Sequence, residues 1–124
     1  MKVIMIVMSL YALLYSADIT PKKMIEAGGN VQSIVVYGDK IVAGTSGGTL
    51  EVYKLSDASL SYKMVFDKIK DFTGESVAPK VFSVDMVEGT NTYVAVLQAS
   101  SGARELVLVE NGTKKVLIDA SKNW

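Results

Sequence analysis

The stretch that decides the fold is VQSIVVYGDKIVAGTSGGTLEVYKL, residues 31–55. Its runs of β-branched and aromatic residues are typical of strands, and two clusters of turn-forming residues, Gly38-Asp39 and the glycine-rich 44–48, interrupt them. Because only a few residues separate the runs, consecutive strands are expected to pair as antiparallel neighbours. The predicted strands are Val31–Tyr37, Lys40–Ala43, Thr49–Leu55 and, after one more turn, Leu60–Phe66.

The same order of runs returns further along the chain. Residues 70–80 include Gly74 and Pro79 and show little periodicity, which predicts a loop. Four more strands are predicted beyond it: Val81–Val87, Tyr93–Gln98, Arg104–Val109 and Lys115–Ile118. We therefore expect an all-β protein with two successive groups of four antiparallel strands.

The two groups of strands align with each other. The matched positions are Val31 and Ser33 with Val81 and Ser83, Ile41–Ala43 with Tyr93–Ala95, and Leu50 and Val52 with Leu106 and Leu108. A repeat of roughly 40 to 50 residues with four strands in each unit is typical of β-propeller blades. The alternative is a single eight-stranded sandwich or barrel with accidental self-similarity.

The segment Asp39–Leu55, with a small-residue turn before Leu50-Glu-Val-Tyr53, resembles the second and third strands of a WD40-like or quinoprotein-like blade. The chain as a whole is similar to the start of the WD40-like periplasmic accessory proteins encoded with bacterial nitrate reductases. This resemblance implies a protein partner among the components of periplasmic nitrate reduction. Tyr53-Lys54 stands where many WD40 repeats end in Trp-Asp, so the Asp-His hydrogen-bond network of those repeats is not carried over.

The first seventeen residues have the pattern of a secretory signal peptide. Lys2 precedes an apolar run over residues 3–15, interrupted only by Ser9, and the small residues Ser16 and Ala17 follow. The run is shorter than the roughly 20 residues that a membrane-spanning helix needs. We therefore expect export to the periplasm and no stable membrane insertion after cleavage; the alternatives are a buried core helix or a short uncleaved anchor.

These patterns predict the organisation of the chain. It comprises a signal peptide (1–17), a linker or closing strand (18–30), blade one (31–69), an inter-blade loop (70–80) and blade two (81–124). Two blades cannot close a propeller, which needs about four to eight. We therefore expect the start of a longer, truncated propeller or one part of an assembly, with uncovered sheet faces and strand edges that make the isolated chain associate.

Composition excludes several classes of chemistry. The 124 residues include no Cys and no His, so thiolate chemistry, disulfides, iron-sulfur sites and a Ser-His-Asp triad cannot be built from this chain. Thirteen basic residues balance thirteen acidic ones, and no run of Lys or Arg exceeds two, so no nucleic-acid partner is expected. We assign no catalytic, cofactor-binding or metal-binding residues, and no cofactor.

One motif resembles a catalytic one. Residues 44–48 match the Gly-x-Ser-x-Gly pattern of hydrolase nucleophile elbows, with Ser46 at the serine position. A strand-forming run follows instead of a helix, and no imidazole is available as a base, so we interpret the segment as a turn. In that interpretation Gly47 supplies the positive φ angle that the turn requires.

The remaining candidates are also interpreted structurally. Asn111-Gly-Thr113 matches a glycan acceptor, but Asn-Gly between two strand runs favours a hairpin turn. Asp67, Asp71 and Glu75 could bind a cation, although no compact ligand loop surrounds them. The thirteen carboxylates are otherwise scattered singly, and we expect them on solvated turns and strand edges.

The sequence thus favours an exported, non-enzymatic propeller scaffold that presents its surface to a protein partner. The alternative is the N-terminal fragment of a propeller enzyme, of the lactone hydrolase or quinoprotein dehydrogenase type, with catalytic residues in further blades. Clustered His and acidic residues in a longer reading frame would favour the enzyme.

Overall fold

The structure is a computed structural model that describes residues 24–119, and in this range it is all-β. Segments rich in β-branched residues form the strands, and the Gly, Asn and Asp clusters form the turns between them. The strands are β1 (Val31–Tyr37), β2 (Lys40–Thr45), β3 (Thr49–Lys54), β4 (Leu60–Val65), β5 (Ile69–Lys70), β6 (Ser76–Val77), β7 (Lys80–Met86), β8 (Thr92–Gln98), β9 (Arg104–Glu110) and β10 (Thr113–Ile118).

The long strands form two four-stranded antiparallel sheets. Sheet 1 has the order β1-β2-β3-β4, and sheet 2 has the order β10-β9-β8-β7. Both are meanders of sequential neighbours, which confirms the prediction of an all-β chain with two four-stranded antiparallel sheets. The predicted signal peptide, 1–17, lies outside the described residues.

The connection between the two sheets contains more structure than the predicted loop over 70–80. β5 and β6 pair as a short ribbon, with Ile69 opposite Val77 and Lys70 opposite Ser76. Ile69 is buried in the core, which ties the ribbon to the sheets. Strands of two residues are too short to produce a recognisable pattern in the sequence.

The two sheets have the same internal register. A β-bulge lies between Val31 and Ser33 in β1, and another lies between Val81 and Ser83 in β7. Ser33 pairs with Gly44, and its counterpart Ser83 pairs with Val96. The residues that the sequence aligned therefore occupy equivalent places in the two sheets.

Residues opposite each other in an antiparallel pair have side chains on the same face of the sheet. One face of sheet 1 is called its front face. It carries Ser33, Gly44, Leu50, Met64, Val35, Val42, Val52 and Tyr62. The equivalent front face of sheet 2 carries Ser83, Val96, Leu106, Ile118, Asp85, Val94, Leu108 and Lys115. The opposite side of each sheet is its back face.

The front face of sheet 1 packs on the back face of sheet 2. The core between them includes Val42, Leu50 and Val52 from sheet 1 and Val84 and Val107 from sheet 2. Each such side chain contributes roughly 1.5 to 3 kcal/mol by leaving water, so this interface is the main source of stability. The sheets are therefore stacked in one direction, front on back, and two faces remain outside the stack.

Three contacts fix how the sheets sit on each other. β7 is the edge strand of sheet 2 and contacts β1, β2 and β3 of sheet 1. The backbone N–H of Val84 on β7 donates a hydrogen bond to Ser33 Oγ at 3.2 Å. The rings of Tyr62 and Tyr93 stack between the sheets, with centroids 5.9 Å apart and planes inclined by 9°.

Candidate functional site

The front face of sheet 2 is a largely aliphatic surface, with Asp85 and Lys115 on it, that no other part of the described chain covers with a sheet. Phe82 beside it is 41% exposed, and the guanidinium of Arg104 lies 4.6 Å from the centroid of the Phe82 ring. The aliphatic side chains of this face are all partly exposed: Val94, Val96, Leu106, Leu108 and Ile118. Contiguous exposed apolar surface of this kind marks a protein-interaction site more often than an ordinary soluble surface.

On the equivalent face of sheet 1, which sheet 2 covers, the same positions are buried. Val42 and Val52 on the front of sheet 1 have no exposed area, whereas their counterparts Val94 and Leu108 on sheet 2 are half-buried. The same kind of side chain in the same register is thus buried in one sheet and open in the next.

The back face of sheet 1 is the other end of the stack, and its margins are apolar. Ile34, Val36, Leu60 and Val65 are each more than half exposed. Its centre differs, because it is polar and buried.

Glu51 lies at that centre and is only 2% exposed, which corrects the expectation that the carboxylates lie on solvated edges. One carboxylate oxygen, Oε2, accepts hydrogen bonds from Thr49 Oγ1 at 2.6 Å and from the backbone N–H of Gly28 at 2.9 Å. The other, Oε1, accepts a hydrogen bond from the Tyr53 hydroxyl. The carboxylate is thus held by three donors, as a buried charge requires.

The protons of the threonine hydroxyls are fixed by this arrangement. Thr49 Oγ1 donates to Glu51, so its 2.6 Å contact with Thr45 Oγ1 must be donated by Thr45. Thr45 Oγ1 in turn accepts from the N–H groups of Gly47 and Thr49 at 3.2 and 3.3 Å. We call Thr45, Thr49, Glu51 and Tyr53 the Glu51 cluster.

The cluster shifts the acidity of both of its titratable groups. Burial raises the pKa of Glu51, but the hydrogen bonds from Thr49, Tyr53 and Gly28 and the positive charge of Lys63 lower it, and the net pKa lies below the usual 4.5. Burial, together with the bond to the Glu51 carboxylate and its charge, raises the pKa of Tyr53 to about 12. At neutral pH the carboxylate is ionised and the phenol is neutral.

Sequence analysis missed the cluster, although its signal is present. Thr49, Glu51 and Tyr53 alternate along β3, so their side chains share one face, and the residues between them are Leu50 and Val52. One face of β3 carries apolar side chains and the other carries Thr, Glu and Tyr. Such a strand can be buried on both faces only when its polar side chains form hydrogen bonds with one another. The chain segment 24–30 supplies the additional donor.

Residues 24–30, within the predicted linker or closing strand, form no strand in the structure. They cross the β2–β3 turn instead: Asn30 N–H donates to Ser46 Oγ at 2.9 Å, and Ser46 N–H donates to Asn30 C=O at 2.8 Å. With the bond from Gly28 to Glu51, these contacts make the segment a strap over part of the back face of sheet 1.

Ser46 is therefore a turn residue that accepts a backbone hydrogen bond. The positive φ of this turn lies at Gly48, at 79°, and not at Gly47, which corrects the expected position. Gly47 is constrained for another reason, because a Cβ atom there would lie 2.1 Å from the Gly28 carbonyl oxygen.

Replacing Ser46 with alanine is expected to lower stability by about 1 kcal/mol or less, and Gly47→Val to lower it by more than about 3 kcal/mol. The first change removes one exposed hydrogen bond, while the second forces the strap away from the turn. Thermal unfolding measures both. Labelling by a serine-reactive fluorophosphonate is expected to be equal in the unmodified chain and the Ser46→Ala variant; labelling lost in that variant alone would identify a nucleophile.

The structure places the acidic residues of the inter-sheet connection in a local turn. Asp71 Oδ1 accepts hydrogen bonds from Thr73 Oγ1 at 2.6 Å and from the N–H groups of Thr73 and Glu75 at 2.8 and 3.0 Å. The bonds from Thr73 are the main reason that the pKa of Asp71 lies below its usual value. Within residues 24–119 no three carboxylates come together in a way that could hold a metal ion.

The Asn111-Gly112 pair forms the β9–β10 hairpin turn. Both residues have positive φ, 51° and 78°, as a two-residue turn of the I′ type requires, which confirms the hairpin prediction.

Comparisons with known proteins identify no relative: no family model, no curated protein and no solved structure matches the chain. Over the residues that the structure describes, there is no helix with the length and hydropathy to span a membrane. The features that bear on function are therefore the front face of sheet 2 and the back face of sheet 1.

Proposed function

We propose that this chain is an exported, non-catalytic scaffold of the β-propeller type that works by docking proteins on its open sheet faces. One observation carries the proposal: the aliphatic side chains on the front face of sheet 2 are half-exposed, while their equivalents on sheet 1 are buried under a second sheet. The aliphatic side chains that the two faces share, Val94, Leu106 and Leu108 on sheet 2, are suited to cover by another protein surface. The resemblance to accessory proteins of periplasmic nitrate reduction makes the components of that system the first partners to test.

Site-specific photo-crosslinking in intact cells tests the docking function. A photoreactive amino acid replaces Leu108 on the front face of sheet 2 or, as a matched control, the exposed Lys68 on the connection between β4 and β5. We expect one discrete adduct from position 108 and none from position 68, with the partner identified by mass spectrometry of the crosslinked peptides. Equal, diffuse labelling from both positions would contradict the proposal.

Export makes a separate prediction. Because the apolar run after Lys2 is short and ends at small residues, the mature chain is expected to begin close to Ser16 or Ala17. N-terminal sequencing of the protein recovered from the cell envelope measures this directly. A mature chain that still begins at Met1 would show that the run is not a cleaved signal.

A further inference from the structure

An open cavity of about 360 Å³ lies where β4 of sheet 1 meets the β7–β8 and β9–β10 turns of sheet 2. The described residues that line it are Ser61, Tyr62, Asn91, Tyr93, Asn111 and Gly112. Its volume falls at the lower end of the range for small-molecule sites, roughly 300 to 1,000 Å³. We propose that this cavity binds a neutral saccharide of one or two sugar units. The inference goes beyond protein docking on the sheet faces and does not depend on it.

The two tyrosines contribute hydroxyl groups that have no partner in the described chain. Tyr93 is only 3% exposed, and within residues 24–119 neither its hydroxyl nor that of Tyr62 makes a hydrogen bond. In the same range the one buried side-chain polar atom that lacks a partner is Gln98 Oε1, so the Tyr93 hydroxyl is accessible to solvent. A Cβ atom at Gly112 would lie 4.0 Å from the Tyr62 hydroxyl oxygen, which places that hydroxyl beside the β9–β10 turn. Both hydroxyls are therefore available to a ligand in the cavity.

The strand pattern alone does not require tyrosine at either place. The register equivalent of Tyr62 in sheet 2 is Lys115, and that of Tyr93 in sheet 1 is Ile41. Burial raises the pKa of both phenols, so both are protonated at neutral pH. Each can then donate one hydrogen bond and accept others.

Two asparagine amides complete the set of polar groups. Asn91 Oδ1 accepts a hydrogen bond from Lys40 Nζ at 2.5 Å; because an ammonium group only donates, the atom it contacts is the oxygen. The Nδ2 group of Asn91 is left with two donors that have no acceptor within residues 24–119. The side-chain amide of Asn111, in the β9–β10 turn, is also unpartnered in that range.

The chemistry of these groups indicates the class of ligand. The described lining residues are all uncharged, whereas carboxylate and phosphate ligands are held most strongly by cationic side chains. An apolar ligand would remove the hydroxyls and amides from water without giving them partners, which is unfavourable. Sugar hydroxyls both donate and accept hydrogen bonds, so adjacent hydroxyls of a pyranose ring can pair with phenol and amide groups together.

Titration of the full ¹⁵N-labelled chain with glucose and with maltose, to about 100 mM, tests the proposal by NMR. We expect at least one of the two sugars to give saturable shifts of the backbone amides of residues 91–93 and 111–112, with a Kd of about 1 to 10 mM. Glycerol at the same concentration controls for a general effect of polyols and is expected to give no saturable shift.

Three variants show whether the cavity groups hold the sugar. Tyr93→Phe keeps the ring and removes only the hydroxyl, and Asn111→Gly keeps a residue suited to positive φ in the turn. Each is expected to weaken binding by about 3-fold or more, and Tyr93→Phe to leave the unfolding temperature unchanged because its hydroxyl has no partner in the described chain. Tyr37→Phe removes a phenol hydroxyl outside the cavity, where it donates to Asp85, and is expected to bind as the unmodified chain does.

Thermal unfolding establishes that each variant is folded, and Tyr62→Phe replaces Tyr93→Phe if that variant is not. No saturable shift with either sugar, shifts confined to other parts of the chain, or equal affinity in the cavity variants and the unmodified chain would overturn the saccharide site.

Discussion

The Glu51→Val variant is expected to lose about 3 kcal/mol or more of unfolding free energy. Three donors converge on the carboxylate, from Gly28, Thr49 and Tyr53, and the hydroxyls of Thr49 and Tyr53 would remain buried without their acceptor. Leaving one buried donor unsatisfied costs roughly 1 to 3 kcal/mol, which exceeds what the added aliphatic surface returns.

The choice of valine makes the test specific to the cluster. Valine is the residue at the equivalent position of sheet 2, Val107, so the backbone of this strand position accepts it without strain. Glu110→Val, at the exposed end of β9, serves as the control and is expected to change stability by no more than about 0.5 kcal/mol. Chemical denaturation of the three proteins measures the difference. Equal midpoints for the two variants would show that Glu51 is not held by its donors.

The same cluster predicts how stability depends on pH. The pKa of Glu51 is lowered in the folded state, so its contribution is present above the unfolded value of 4.5 and is lost as pH falls through the lower folded value. The pKa of Tyr53 is raised to about 12, so its contribution is complete below 10 and is lost as pH rises from 10 towards 12. Glu51→Val should remove the acid limb of the stability profile that this carboxylate causes. It should also make the alkaline loss smaller, because without the Glu51 acceptor and its charge the folded pKa of Tyr53 lies closer to its unfolded value.

Turn chemistry is the part of this fold that the sequence specifies most directly. Asn111-Gly112 adopts positive φ at both residues, and the bulged Val31 and Val81 segments that align in sequence also align in register. These are local properties, set by conformational preference and by the period of two along a strand. They were sufficient to predict both four-stranded sheets.

The burial of particular faces could not be predicted in the same way. Leu50 and Leu106 are equivalent in sequence and register, yet the first is fully buried and the second is partly exposed, because only the first has a sheet on its front. Glu51 was expected on a solvated edge because its strand gives no sign of the strap. Its burial depends on residues 24–30, a distant segment of the chain. Tertiary contacts between distant segments decide these cases.

Gly44 illustrates the difference at one residue. It was predicted to belong to the turn over residues 44–48, but it lies within β2, on the front face of sheet 1. A Cβ atom at this position would lie 2.5 Å from Cγ1 of Val81 and 2.9 Å from Cγ1 of Val84. Glycine is therefore required because β7 of the other sheet approaches the backbone here.

Gly44→Ala is expected to lower the unfolding free energy by about 2 to 3 kcal/mol, because both valines belong to the close-packed core and a methyl group has no room between them. The sign of the effect is informative. In a strand without such a neighbour, replacing glycine with alanine stabilises by roughly 0.5 to 1 kcal/mol through the lower entropy of the unfolded chain.

The matched position in sheet 2 supplies the control. Val96 is the register equivalent of Gly44 and lies on the open front face, where it is partly exposed. Val96→Ala is expected to cost about 1 kcal/mol or less in the dilute monomer, because it removes methyl groups that no sheet covers. Denaturant unfolding of both variants at low protein concentration therefore compares a covered and an uncovered copy of the same site. A Gly44→Ala variant that is more stable than the unmodified chain would show that sheet 2 does not pack on the front of sheet 1, and both the direction of the stack and its two open ends would have to be reassigned.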